Sequence, residues 1–250
     1  MPWWVGVLGL QLLAWAVGTL VTVVLLDSDT GLVRDHPPLA WRIGGLVPGP
    51  LAALSLVFLL LCGGPLWLCL AVVLPAALML LAYSWAWARR YPAERRRVRG
   101  REALIISVTT VLFVSLEQST ATEGTALVMA AFAGSAALFG GLGTLLLGAL
   151  VGSHGGDQVV VKMTPYGMPA RVVATGLGVT LLALVDTLLF GGGAPVLALS
   201  LWATFSLLAP LSLVAAGHRL FPRWQSPIWA SALGSVLVGQ FALHAGIFLG

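Results

Sequence analysis

Long apolar runs separated by short polar clusters occupy this chain from end to end. Eight can be marked, over roughly residues 3–26, 42–62, 65–88, 102–118, 125–152, 171–190, 195–217 and 227–249. Each is close to or above the ~20 residues that carry an α-helix across the hydrocarbon core of a bilayer. The pattern predicts an all-α polytopic membrane protein, a single integral membrane domain over 1–250 built as a bundle of eight transmembrane helices. The fourth run is the shortest, because its apolar stretch from Ala103 to Leu116 ends at Glu117-Gln118-Ser119-Thr120. The fifth is long, which predicts tilt or an extension beyond the membrane. Two connections are tight, Cys62-Gly63-Gly64-Pro65 and Gly191-Gly192-Gly193-Ala194-Pro195. In such turns glycine supplies positive φ and proline fixes the restart of the next helix.

Charge orients the bundle. Arg34 and Arg42 fall at the first loop, Arg89, Arg90, Arg95, Arg96, Arg97, Arg99 and Arg101 at the third, Lys162 and Arg171 at the fifth, and Arg219 and Arg223 at the seventh. All 13 Lys and Arg thus sort to one side, as cytoplasmic loops retain basic residues. Both termini are then outside (N-out/C-out), and Glu117 and Glu123 face outside with the even-numbered turns. A seven-span count would scatter the charges over both faces. The expected location is the cytoplasmic membrane of a bacterium or archaeon. The run Arg95-Arg96-Arg97-Val98-Arg99-Gly100-Arg101 reads as a topogenic loop beside lipid headgroups rather than a nucleic-acid site. Met-Pro-Trp-Trp lacks a basic n-region, so the first span reads as an anchored helix and not a cleaved signal peptide.

Composition narrows the chemistry. Of 250 residues, 59% are hydrophobic and 9% charged, against about 25% charged in a soluble domain. Eight spans leave only short loops, so extramembrane chemistry falls to partner chains. The single lysine, Lys162, lies in a loop, which excludes a retinal Schiff base within a span. His-Glu-x-x-His, Gly-x-Ser-x-Gly and Walker patterns are absent, which argues against common metallo- and serine hydrolases and against nucleotide use by this chain alone.

Small residues every fourth position, Gly140, Thr144, Gly148 and Gly152 in the fifth span and Ser231, Ser235 and Gly239 in the eighth, mark these helices as the close-packed interior. Pro48, Pro50, Pro75 and Pro210 should bend their helices. Cys62 and Cys69 bracket one tight turn and read as two free thiols. No metal-ligand cluster of useful spacing exists.

Polar side chains inside a membrane carry the functional expectation, because their burial is expensive. By depth, Asp186 lies about one turn from the outer end of the sixth span and His244 at a similar level in the eighth, with Gln240 one turn deeper on the same face. Gln11 is about two turns below the outer end of the first span. Glu117 closes the fourth. A carboxylate, an imidazole and amides at a shared depth suit a quinol, whose hydroxyls need acceptors and whose oxidation releases protons. Asp186 or His244 would accept the proton, and Gln11, Gln240 and Glu117 would complete the binding set. The alternative is that Asp186 and His244 pair with each other or with backbone and seal the bundle. His36, His154 and His218 lie at helix ends or in loops on the inner side. Bis-histidine haem b prefers histidines within spans at one depth, so haem b is not expected.

The closing helix, Gly239-Gln240-Phe241-Ala242-Leu243-His244-Ala245-Gly246-Ile247-Phe248, together with the eight-span layout, resembles the membrane-anchor subunits of the dimethyl sulfoxide reductase and polysulfide reductase families. Their last helix often has a glycine, a polar or acidic residue, a basic residue a turn later and then an apolar stretch. Gln240 stands here at the acidic position and His244 at the basic one. The resemblance implies a quinone-reactive anchor serving an iron–sulfur subunit and a molybdenum-containing catalytic subunit. The expected function is therefore a membrane subunit of a respiratory or photosynthetic electron-transfer complex. Two alternatives are an accessory or assembly subunit without a cofactor, contacting partner subunits and lipid, and a small-solute transporter. No pair of interrupted helices is legible in support of the transporter.

Overall fold

A computed structural model describes residues 3–29, 39–120, 125–154, 168–190, 195–217 and 225–249. Every described element is helical: α1 (Trp3–Asp29), α2 (Leu39–Leu46), α3 (Pro48–Leu61), α4 (from Leu66 to Ala88), α5 (Ala93–Thr120), α6 (Thr125–His154), α7 (Met168–Phe190), α8 (from Val196 to Gly217) and α9 (Gln225–Leu249). Seven helices, with α2 and α3 counted as one, are long and apolar enough to cross a membrane. The exception is α5. It begins nine residues before the predicted fourth run, because the arginine-rich stretch is helical rather than a loop and carries Glu94 in its first turn. Asp27 at the end of α1 lies 3.8 Å from both Arg96 and Arg97, and Arg97 donates to the Asp27 carbonyl at 2.7 Å. Arg96 also stacks over Trp87 at 4.4 Å and donates to the Tyr91 carbonyl. These contacts tie the start of α5 to α1 and α4, and the apolar part of α5 then runs back along α4. Gly100 packs by Tyr83, and Thr110 reaches the Val72 carbonyl.

The centre of the bundle is α1 against α6. Gly18 and Gly140 meet so closely that a Cβ on Gly18 would overlap the Ala136 carbonyl and one on Gly140 the Gly18 carbonyl. The expectation of an interior made by the fifth and eighth helices therefore holds for α6, but α1 takes the second central place. On α6, Gly140, Thr144 and Gly148 are buried, and the Thr144 hydroxyl donates to the Gly140 carbonyl. A second glycine face of α6, Gly134 and Gly141, receives α7 at Thr180 and Val173. On α9, Gly239 packs on Ser206, but Ser231 is exposed and Ser235 bonds back to the Ala232 carbonyl.

The prolines act as expected, each with a local adjustment. The second span breaks at Val47, between α2 and α3, and the Gly49 N–H exposed by the break donates to the Ser84 hydroxyl of α4 at 2.9 Å. In α4 and α8 the chain absorbs Pro75 and Pro210 with one π-turn each, Cys69–Val73 and Thr204–Leu208. A proline ring collides with the carbonyl four residues earlier, here Ala71 and Ser206, the middle residue of each π-turn. Both turns close by i→i+5 bonds, Leu74 N–H to the Cys69 carbonyl and Ala209 N–H to the Thr204 carbonyl. Two helices thus carry a π-turn within an otherwise continuous helix.

The pair belongs to a larger correspondence. Helices α1 to α5 and α6 to α9 form two units with the same plan. A central helix (α1, α6) packs on its successor (α3, α7), a π-turned helix follows (α4, α8), and a last helix (α5, α9) packs against both the π-turned helix and the central one. Each π-turned helix starts right after a proline that follows glycines in the sequence, Pro65 or Pro195, and carries its second proline two residues beyond its π-turn.

Candidate functional site

Three buried polar side chains share a level toward the end of the bundle that carries the start of α1 and the end of α9. Gln11 lies eight residues into α1, Gln240 nine residues before the end of α9 and Ser206 ten residues into α8, all about 12–15 Å along their helices at 1.5 Å per residue. All three are buried, with Ser206 and Gln240 at 0% exposure. Trp202, also at 0%, sits one turn before Ser206 on α8 and packs with Leu243 of α9, Ala183 of α7 and Ala131 of α6. Helices α8 and α9 run antiparallel here: Gly239 meets Ser206, and Gly246 meets Ala198. Gln240 lies between these contacts, next to Gly239 and one turn before Leu243.

The hydrogen bonding of this group is incomplete. Gln240 Oε1 and Nε2, Ser206 Oγ, Trp202 Nε1 and Gln11 Oε1 are all buried without a hydrogen-bond partner. An unsatisfied buried polar group costs about 1–3 kcal/mol, so the fold leaves polar capacity open here, as it does at the buried hydroxyls of Thr19, Ser107 and Ser115. The other intramembrane hydroxyls mostly close on themselves: Thr22, Thr144, Thr180 and Thr187 each donate to the carbonyl four residues back. His244 is 7% exposed, and its Nδ1 lies 2.8 Å from the Gln240 carbonyl oxygen. A carbonyl only accepts, so Nδ1 carries the proton and Nε2 remains an acceptor.

The structure brings together only part of the predicted set. Gln240 and His244 share the buried face of α9, and Gln11 lies on α1, which packs against α9. Asp186 is exposed on the outer face of α7 among Leu182, Val185 and Leu189, and makes no hydrogen bond or ion pair among the described residues. It does not pair with His244. Depth alone misplaced it, because level along a helix does not fix the direction around it. Glu117 is half-buried near the end of α5. Trp202 and Ser206 were not singled out from sequence, and Pro210 was the available signal, since the carbonyl its ring excludes belongs to Ser206. Cys62 and Cys69 are free thiols, and Cys62 donates to the Leu59 carbonyl at 3.1 Å. His36, His218 and the side chain of His154 lie outside the described residues. Among the described residues no group of three or more His, Cys, Asp or Glu could hold a metal ion.

Comparison with protein-family models, curated proteins and solved structures gives no match for this chain.

Proposed function

We propose that this chain is an integral membrane subunit of an electron-transfer complex that binds a quinone near the outer face, with eight crossings and both termini outside. The observation that carries the reading is the Gln240 amide, fully buried with both polar atoms unpartnered. A buried amide with an open donor and an open acceptor matches a ring that presents carbonyls when oxidised and hydroxyls when reduced. His244, one turn on, offers Nε2 as acceptor for one of the two protons that quinol gives up with its two electrons, and the other proton leaves to water at the outer face. The electrons would leave to an iron–sulfur partner subunit, since the described residues offer no metal cluster of their own. The run of α5 alongside α4 supports the eighth crossing, and the one-sided arginines support the orientation.

Purification from native membranes with its partners, followed by metal analysis and lipid extraction, tests this reading. Iron-bearing partner chains and about one quinone per chain are expected. A chain isolated without redox-active partners and without quinone overturns it. Solute transport is a second reading, favoured by the presence of one π-turned helix in each unit, because irregular helix segments in both halves mark transporter sites. Uptake by proteoliposomes of the purified chain alone would favour that reading instead.

A further inference from the structure

The two units of the fold allow an internal comparison, because each carries a π-turn that faces its last helix. In the first unit a hydroxyl reaches the π-turn. Thr110 of α5 sends its hydroxyl toward the π-turn, 2.8 Å from the Ile106 carbonyl and 3.4 Å from the Val72 carbonyl. In the second unit the matching stretch of α9 is Gly239-Gln240. Gly239 brings α9 against Ser206, while the Gln240 amide, Ser206 Oγ and Trp202 Nε1 are all left without partners. The units also differ on their flank. Helix α3 packs closely on α4, with Gly49 against Leu81 and bonded to Ser84. Its counterpart α7 touches α8 only lightly, and Leu188 and Leu189 near the end of α7 and Val196 and Leu197 at the start of α8 are strongly exposed.

We infer that the π-turn of the second unit is a ligand site for a quinone headgroup, held by Trp202, Ser206 and Gln240 and reached from the lipid through the seam between α7 and α8. The Trp202 indole N–H and the Gln240 amide N–H donate to a ring carbonyl. After reduction, Gln240 Oε1 or Ser206 Oγ accepts from the ring hydroxyl, so the amide serves both redox forms. The isoprenoid tail stays in the lipid beside α7 and α8. The π-turn of the first unit, filled by Thr110, binds nothing. This inference rests on the quinone reading and narrows it to one seam and three side chains.

Titration of the purified full chain with decylubiquinone, alongside thermal melting in the same detergent, decides the matter. The wild type should bind one equivalent and melt at a higher temperature when it is bound. Gln240→Met keeps the side-chain volume and removes both amide atoms. It should weaken binding at least tenfold, as should Trp202→Phe to a smaller degree, about threefold to tenfold. Thr110→Val should bind as the wild type does. If Gln240→Met fails to fold, Trp202→Phe and Ser206→Ala carry the same test. Wild-type binding that is unchanged in folded Gln240→Met and Trp202→Phe overturns this site and leaves the quinone reading standing. Absence of binding by the wild type, with Gln240→Met melting higher than it, overturns both and means that the open polar atoms hold water only.

Discussion

Gly18 of α1 and Gly140 of α6 bring two helix backbones into direct contact at the centre of the bundle, leaving no room for a Cβ on either side. In lipid, apolar side chains gain little by leaving their surroundings, so such close main-chain contact is what holds helices together. Gly18→Ala should force α1 and α6 apart and destabilise the fold by about 1–3 kcal/mol. Reversible unfolding in mixed micelles measures this, and Gly178→Ala, at a position with open space around its Cβ, is the control that should leave stability unchanged or slightly raised.

At the arginine-bearing end, Asp27 is the acid that faces both Arg96 and Arg97. Asp27→Asn removes its charge while Arg96 stays 5% exposed. Both separations are long at 3.8 Å, so a loss of about 1–3 kcal/mol is expected. Limited proteolysis should show the arginine-rich start of α5 becoming cleavable in this variant. An unchanged digestion pattern would mean that the ion pairs do not anchor the helix.

Helix α4 ends on Arg90, whose φ of +54° is left-handed. The Arg90 N–H donates to the Trp87 carbonyl and the Tyr91 N–H to the Ala86 carbonyl, the closing pattern that glycine normally supplies. Left-handed backbone costs a non-glycine residue about 1–2 kcal/mol, so Arg90→Gly should raise the melting temperature. Arg90→Val, with a branched Cβ, should lower it.

Asp186 stands exposed on α7 without a partner among the described residues. Asp186→Leu should therefore change the stability of the isolated chain by less than about 0.5 kcal/mol. Quinol oxidation by the purified complex should survive Asp186→Asn and fall at least tenfold in His244→Ala. Loss of turnover in Asp186→Asn would restore the carboxylate to the reaction.

Much of the fold was legible because it follows from one-dimensional patterns. Apolar run length gave the helices, and Pro48, Pro75 and Pro210 gave the places where they deviate. The start of α5 was not, since Arg95 to Arg101 resembles a loop until Asp27 and Trp87 are seen to hold it. The site was legible in depth and illegible in azimuth. Gln11, Gln240 and His244 were picked out as scarce polar groups and are buried, whereas Asp186 met the same criterion and faces outward. Trp202 was hidden among ten tryptophans, with nothing in the apolar pattern to set it apart. The matching of the two units was also hidden, because it lies in main-chain geometry rather than in repeated side chains.

Each π-turn also makes its helix tolerant of a change in length. A π-turn houses one residue more than the regular spiral needs, and the segments before and after it keep their original phase. Deleting a single residue from an ordinary transmembrane helix turns everything beyond the deletion by about 100°. Deletion within Cys69–Val73 or Thr204–Leu208 would only return α4 or α8 to regular winding, at the expense of the clash with Pro75 or Pro210. These two five-residue windows are thus where the chain can lose a residue and keep its lipid-facing and core-facing sides in register.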